Sequence, residues 1–223
     1  MQAAKFWDGM ADRYAKSPIR DMESYTYTLD RTRSYLSKTD RVLELGCGTG
    51  STALLLAESA GEITASDVSP NMVGIGRGKA EAEGVSNLRF VAADVFDPAL
   101  DGTYDTVMAF NLLHLVEDLP RTLHRIAALV KPGGLFISKT FCRPEPGAPW
   151  NRALMTYRMM RVVLPVMQML GKAPYVGFMR IAELEAMIAG AGFQIIETGN
   201  HPASPPSRYI VARKAVLCPG PAS

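Results

Sequence analysis

The chain has 223 residues, of which 48% are hydrophobic, and its formal net charge at pH 7 is +2. This length supports one sizeable α/β core and leaves little room for a second independent domain. The small charge gives no global electrostatic argument for nucleic acid as a partner. The three cysteines are far apart in the sequence, which argues against a disulfide framework and against a zinc site of the CxxC type. We therefore expect no metal and a reducing, cytoplasmic location.

The first segment predicts a helix laid on the core. Phe6, Met10, Ala11 and Tyr14 recur at helical spacing, and Ser17-Pro18 ends the pattern. The stretch is polar from its start and lacks the apolar core of a signal peptide, and no apolar run approaches the ~18 residues of a spanning helix. We expect residues 1–36 to form a helical cap on a core domain over residues 37–216 of a soluble protein.

A glycine-rich turn follows the first predicted strand. Arg41–Leu45 is short, mostly apolar and β-prone, and Gly46, Gly48 and Gly50 then lead into a helix that begins near Ser51. Without Cβ atoms, such a turn lets backbone N–H groups approach a ligand closely. A G-x-G-x-x-G dinucleotide fingerprint would need glycine at Ser51, and a P-loop would need a lysine that is absent. Nicotinamide-dependent oxidation is therefore a disfavoured alternative.

An acidic residue ends the second predicted strand, Glu62–Asp67. Asp67 lies 21 positions after Gly46, close to the ~20-residue distance that places an acid on a ribose. A carboxylate at the end of a strand can accept hydrogen bonds from both ribose hydroxyls. Ser69 and Pro70 then predict the start of a helix, as N-cap and first helical residue.

Three further strands are predicted at residues 88–94, 104–111 and 135–141, with a helix stop and turn at residues 131–134. The alternation of strands and helices between residues 41 and 141 requires a parallel sheet with right-handed crossovers. Near the C-terminus, a predicted helix at residues 181–191 precedes strands at 193–198 and 208–214. The loop between these two strands is too short for a crossover helix, so we expect them to be antiparallel. Residues 217–223 are expected to be a frayed tail.

Several motifs in this chain resemble those of class I S-adenosylmethionine-dependent methyltransferases. They are E-x-G-C-G-T-G from Glu44 to Gly50, D-x-S-x-x-M from Asp67 to Met72, and F-W-D-x-x-A-x-x-Y from Phe6 to Tyr14. The resemblance implies an α/β, Rossmann-like, seven-stranded and mostly parallel sheet with an antiparallel C-terminal hairpin strand and helices on both faces. It also implies S-adenosylmethionine as cofactor, S-adenosylhomocysteine as product, and no metal.

The resemblance implies roles for particular residues. Asp67 would take the ribose, Asp94 and Val95 the adenine, and Asn111 with Tyr14 the reacting methionine end. The full set of implied cofactor contacts is Tyr14, Glu44, Gly46, Cys47, Gly48, Asp67, Val68, Met72, Asp94, Val95 and Asn111. Tyr14 is equally typical of an ordinary amphipathic helix, and an acid at Asp94 is also typical of a turn or helix cap.

Residues 142–182 correspond to the place where this family inserts an acceptor-side lid. Residues 146–182 contain five basic residues, no acid and six methionines. Three interpretations stay open. The methionines fill gaps in the core and the basic side chains are solvated; Tyr157, Arg158, Arg161 and Tyr175 hold an apolar or anionic acceptor; or a basic amphipathic helix, kinked or ended at Pro165, rests transiently on an anionic membrane.

His114 is the candidate general base, because it is the histidine that follows the fourth predicted strand; a packed residue at a helix start is the alternative. Cys47 fits a tight space in the glycine turn, and we expect no covalent chemistry there. The sequence thus predicts S-adenosylmethionine-dependent methylation of a small-molecule acceptor by a monomer or homodimer. The alternatives are a lipid or quinone methyltransferase at a membrane surface and a non-catalytic S-adenosylmethionine-binding protein.

Overall fold

The computed structural model describes residues 2–144 and 152–216. The predicted tail at 217–223 and residues 145–151 of the predicted lid lie outside the described residues. Within the described ranges, no helix combines the length and the apolar character needed to cross a membrane.

The strands form one seven-stranded sheet in the order β3-β2-β1-β4-β5-β7-β6. Their bounds are β1 Arg41–Leu45, β2 Glu62–Asp67, β3 Leu88–Ala92, β4 Tyr104–Phe110, β5 Val130–Phe141, β6 Phe193–Asn200 and β7 Ser207–Lys214. The first five strands pair in parallel, and β7 is antiparallel to both β5 and β6. The predicted class, a mostly parallel Rossmann-like sheet closed by an antiparallel hairpin, is confirmed.

The helices are α1 Gln2–Ala15, α2 Met22–Arg33, α3 Ser51–Leu56, α4 Pro70–Ala82, α5 Leu119–Leu129, α6 Arg152–Met169 and α7 Ile181–Gly190. Short 3-10 turns occupy Ala57–Ser59 and Leu113–Leu115. The predicted caps of α4 are present, since Ser69 Oγ accepts from the Met72 N–H at 3.1 Å and Pro70 is the first helical residue.

The alternation of side chains along β1 divides the apolar core between the two faces of the sheet. Leu43 and Leu45 pack with α5 and α7, whereas Val42 on the other face packs with α2, α3 and α4. Each of these three side chains is fully buried and contributes about 1.5–3 kcal/mol of transfer free energy. Helices therefore cover both faces, as expected.

Several strand boundaries differ from the predictions, and two of these differences have a clear physical cause. β3 ends at Ala92 rather than at Asp94, because the Asp94 carboxylate accepts the Phe96 N–H at 2.6 Å and bends the chain into a turn. β5 begins at Val130 and includes the predicted turn at residues 131–134. Tyr104 pairs with Val130 and Thr106 with Leu135. Residues 131–134 therefore form an irregularity within the strand.

Pro165 does not end its helix, since α6 continues to Met169. The proline ring has no N–H donor, so one hydrogen bond is missing at this point while the helix continues. α2 is fixed to the sheet by Lys139 of β5, whose ammonium donates to the Ser24 carbonyl at 3.2 Å and to Thr28 Oγ1 at 3.0 Å. α1 packs on α4. These two contacts hold the N-terminal helices beside the carboxyl ends of the parallel strands.

Candidate active site at the carboxyl edge of the sheet

The turn after β1 requires its glycines. Gly46, Gly48 and Gly50 have φ values of +66°, +54° and +72°, a region that L-residues with side chains rarely adopt. A Cβ at Gly46 would also lie 2.8 Å from Leu112 Cδ1, and one at Gly50 would lie 2.3 Å from Phe90 Cε1. Close packing explains two of the glycines. At Gly48 the nearest atom to such a Cβ would be Tyr14 Cε1, at 3.5 Å, so the Tyr14 ring covers the turn.

Asp67 faces this turn from the end of β2. One carboxylate oxygen accepts the Gly48 N–H and the other accepts the Ser69 N–H, both at 2.9 Å. Burial raises the pKa of Asp67, while these hydrogen bonds lower it. The carboxylate is thus fixed in orientation, and its remaining lone pairs are open to a ligand.

A cavity of about 390 Å³ opens beside Asp67. Its lining combines the ends of β2 and β4, the loop after β3 and the inner side of α1. The sequence-predicted residues in its lining are Tyr14, Gly46, Gly48, Asp67, Val68, Met72, Asp94, Val95, Asn111 and His114.

A second cavity, of about 310 Å³, lies next to the first. Tyr14, Gly46, Phe110 and Asn111 line both cavities. The two remaining predicted cofactor contacts, Glu44 and Cys47, line the second one. All eleven predicted cofactor residues therefore surround this pair of cavities, although their sequence positions extend from 14 to 111.

Glu44 is 2% exposed, and its Oε2 atom has no hydrogen-bond partner among the described residues. Burial, with a contribution from the negative charge of Asp67, raises the pKa of Glu44 to about 8. Burial also raises the pKa of the neighbouring Cys47 thiol well above its usual range. An un-ionised thiol is a poor nucleophile.

Asn111 occupies a left-handed backbone conformation, with φ +56°, directly after β4. Asparagine adopts this conformation more readily than most residues. Its N–H donates to the Lys139 carbonyl at 2.8 Å, so the residue turns the chain across the wall shared by the two cavities.

His114 follows in the 3-10 turn and lines the larger cavity. Its Nδ1 atom is buried and has no partner among the described residues, and burial lowers the pKa of His114 to about 4. Its ring lies 6.2 Å from that of Phe141, centroid to centroid. The imidazole is consequently neutral at physiological pH, with one nitrogen shielded from water.

Sequence reasoning missed several lining residues. Trp7 and Ala3 of α1 contribute to the larger cavity, as do Phe96 and Leu115. Asp8, also missed, accepts from Ser69 Oγ at 2.5 Å and from the Asn71 N–H at 3.1 Å, and thereby ties α1 to the start of α4. The F-W-D motif contains the signal for Trp7 and Asp8, whereas no pattern indicates Phe96 or Leu115.

The predicted acceptor residues are absent from the lining of these two cavities. Tyr157 is 6% exposed, and its ring lies 5.4 Å from Phe178 and 6.3 Å from Phe141. Arg158, Arg161 and Tyr175 are exposed. Tyr157 is therefore connected to the site through Phe141, whose ring also neighbours that of His114.

Among the described residues, no group of three or more His, Cys, Asp and Glu side chains could hold a metal ion. The arrangement offers carboxylates, backbone N–H groups and apolar walls. Such a set suits an extended ligand that has hydroxyl groups, a flat ring and a positive charge.

Several known proteins with similar sequences are named as methyltransferases. A family model described as a methyltransferase domain matches residues 19–198. Demethylmenaquinone methyltransferase of Thermus thermophilus is 33% identical over 170 residues, covering 70% of this chain and 74% of that protein. Ubiquinone biosynthesis O-methyltransferase of Xanthomonas euvesicatoria is 29% identical over 194 residues, covering 86% of this chain and 77% of that protein.

Solved structures with the same fold include magnesium protoporphyrin IX methyltransferase from Synechocystis PCC 6803 with bound S-adenosylhomocysteine. It aligns with a TM-score of 0.71 at 20% identity, covering 96% of this chain and 98% of that one. A [4+2]-cyclase aligns with a TM-score of 0.68 at 19% identity, covering 85% and 81%. At these identities the structural likeness shows the fold, while the family model and the sequence relatives show the family. The chain belongs to the class I S-adenosylmethionine-dependent methyltransferases.

Proposed function

We propose that this methyltransferase binds S-adenosylmethionine across the two adjoining cavities and methylates a small, apolar acceptor of the quinone-like class. The observation that carries the proposal is the meeting of the two cavities at Tyr14, Gly46, Phe110 and Asn111. A cofactor that spans this shared wall would present its methyl group to an acceptor beside it, in a position for in-line transfer.

The described residues fit the cofactor. Asp67 and Asp94 line the larger cavity and Glu44 lines the smaller, so carboxyl groups surround a region that would hold a cation. The partnerless Oε2 of Glu44 offers an acceptor for an ammonium group. Asp67 would bind the ribose hydroxyls, Asp94 and Val95 the adenine, and Tyr14 and Asn111 the methionine end.

S-adenosylmethionine supplies a methyl group activated on a positively charged sulfur. The chain's own residues have to orient the acceptor and keep water away. Tyr14 and Trp7 of α1 cover the larger cavity for this purpose. His114 would take the proton that a hydroxyl acceptor loses, because its imidazole lines the larger cavity and is neutral.

Two observations favour an apolar acceptor over an anionic one. The larger cavity is walled mainly by apolar side chains, including Phe110, Leu112 and Leu115, and the described residues that line the two cavities include no Lys or Arg. A buried carboxylate or phosphate on the acceptor would therefore have no cationic partner among the described lining residues. Both sequence relatives named above are, by name, enzymes that methylate in quinone biosynthesis.

The experiment is transfer of labelled methyl from S-adenosylmethionine into a cell extract, followed by separation into organic and aqueous phases. Label in the organic phase supports a quinone-like acceptor. Label confined to the aqueous phase contradicts the apolar acceptor, and label no higher than with an Asp67→Ala variant contradicts transfer to any acceptor in that extract. Asp101→Ala is the matched control, because Asp101 is exposed and outside both cavity linings.

A further inference from the structure

α6 exposes an apolar stripe along its length. Met155, Met159, Val162, Val166 and Met169 recur at intervals of three and four residues, which places them on one side of the helix. Their exposed fractions run from 53% at Val166 to 87% at Met169. So many large apolar side chains on one exposed face mark an interaction site rather than ordinary surface.

The opposite side of the same helix attaches it to the molecule. Tyr157 is buried against Phe141 and Phe178, and Leu164 and Gln168 on the same side are partly buried. The Gln168 amide also donates to the Pro174 carbonyl at 2.8 Å. The apolar stripe therefore faces outward because the helix is already docked through its other side.

The segment that carries this stripe has charge of one sign. On the helix Arg158 borders the stripe and Arg161 lies farther round toward Tyr157, Lys172 follows just after the helix, and residues 146–182 contain no Asp or Glu. Among the described residues, no carboxylate lies within ion-pairing distance of Arg161 or Lys172. An exposed apolar stripe in a basic segment complements a surface with an apolar interior and negatively charged head groups.

A second copy of the chain fits this surface less well. In a two-fold symmetric contact, the same helix face of each copy would meet the other. The basic segment of each copy would then approach that of the other, and residues 146–182 contain no Asp or Glu to offset the positive charge. Charge complementarity thus favours a lipid surface over self-association.

We infer that α6 is the element through which this methyltransferase seats on an anionic lipid surface, with Met155, Met159, Val162, Val166 and Met169 inserted among the lipids. Helix α6 lies close to the candidate active site, because Tyr157 contacts Phe141 and the Phe141 ring lies beside His114. The inference rests on the proposed function only in giving an apolar acceptor a route to the cavity; lipid binding itself requires neither cofactor nor acceptor.

The test is flotation of the full chain with phosphatidylcholine vesicles, with and without phosphatidylglycerol, in the absence of cofactor. We expect binding to the anionic vesicles, weakened by salt, and little binding to the neutral ones. The combined variant Met159→Gln, Val162→Gln, Val166→Gln should bind at least about tenfold more weakly. The matched control is Leu55→Gln with Ile196→Gln, which removes exposed apolar side chains elsewhere and should leave binding unchanged.

A charge variant, Arg161→Gln with Lys172→Gln, should weaken anionic vesicle binding by about fivefold per charge removed. Lys5→Gln with Lys38→Gln removes two exposed charges elsewhere as its control. Circular dichroism and S-adenosylhomocysteine binding establish that each variant folds.

Three results would overturn the inference. The first is a wild-type chain that does not bind anionic vesicles. The second is a triple variant of α6 that binds them as tightly as the wild type does. The third is sedimentation showing that the triple variant converts a dimer into a monomer, which would assign the stripe to a second copy. A failed methyl-transfer assay with intact vesicle binding would contradict the proposed function and leave this inference standing.

Discussion

Glu44 is a carboxyl group buried in a strand whose neighbours are apolar. Its environment disfavours the ionised form, first through burial and then through the charge of Asp67. An un-ionised acid with a partnerless oxygen reduces the stability of the free protein and is available to a cationic ligand. At the scale of single residues, the site therefore lowers the free energy of unfolding of the ligand-free protein.

The effect of Glu44 on the free energy of unfolding depends on pH in a defined way. The pKa of Glu44 is about 8 in the folded chain and close to 4.5 when unfolded, so the folded state holds an extra proton between these values. Its contribution to stability is present below about pH 4.5 and is lost as the pH rises toward 8. Glu44→Gln should abolish this loss, which amounts to roughly 4 kcal/mol across the interval. Urea unfolding at pH 5 and pH 8.5 measures it; equal pH dependence of the wild type and the variant would contradict the assignment.

His114 yields a second prediction at this scale. Because its pKa is about 4, the imidazole stays neutral well below the usual range for histidine. If His114 accepts the acceptor's proton, the acidic limb of the pH profile of kcat/KM should have its midpoint near 4 rather than near 6.5. His114→Asn should lower kcat by about 10²–10⁴-fold while S-adenosylhomocysteine binding is retained. An acidic midpoint near 6.5, or unchanged turnover in the variant, would remove His114 from this role.

Among the elements, the glycine turn and α4 close around a single aromatic ring. A Cβ at Gly50 or at Gly76 would lie 2.3 or 2.4 Å from Phe90 Cε1. Phe90 is itself buried in β3, so its ring has little room to move. The close approach of turn, helix and strand holds the turn against the cavity.

Gly76→Ala should therefore destabilise the protein by about 1–3 kcal/mol, since the added methyl group overpacks the contact with Phe90. Gly74→Ala is the matched control in the same helix. Gly74 is exposed, with no atom within 4 Å of a Cβ, so alanine should stabilise the protein by about 0.5–1 kcal/mol through helix propensity. Thermal and urea unfolding of both variants compares them; equal effects of the two changes would contradict the packing argument.

Sequence patterns predict the bounds of some strands correctly and those of others wrongly. β1 and β2 have the bounds that the apolar pattern predicts, because each strand is enclosed by covered faces of the sheet. The end of β3 was predicted wrongly, because the Asp94 side chain hydrogen-bonds locally and turns the chain. The irregularity at residues 131–134 depends on pairing with β4, which a pattern within one segment does not contain.

For the whole molecule, the fold and the family could be predicted from the alternation of elements, the C-terminal hairpin and the motif spacing. The shape of the site could not. Trp7, Phe96 and Leu115 come together only through packing between distant segments, and no local periodicity records that packing. The outward orientation of α6 also follows from tertiary structure, because burial of Tyr157 decides which side of the helix faces solvent.

The most direct test of this account is the affinity for S-adenosylhomocysteine, measured by isothermal titration with wild type, Asp67→Asn and Asp101→Asn. Loss of charge-assisted hydrogen bonds at Asp67 should weaken binding by about 10–100-fold, whereas Asp101→Asn should bind as the wild type does. NAD should bind more weakly than S-adenosylhomocysteine, because Ser51 replaces the glycine of the dinucleotide fingerprint. Equal affinity of the Asp67→Asn variant and the wild type for S-adenosylhomocysteine would contradict the placement of the cofactor beside Asp67.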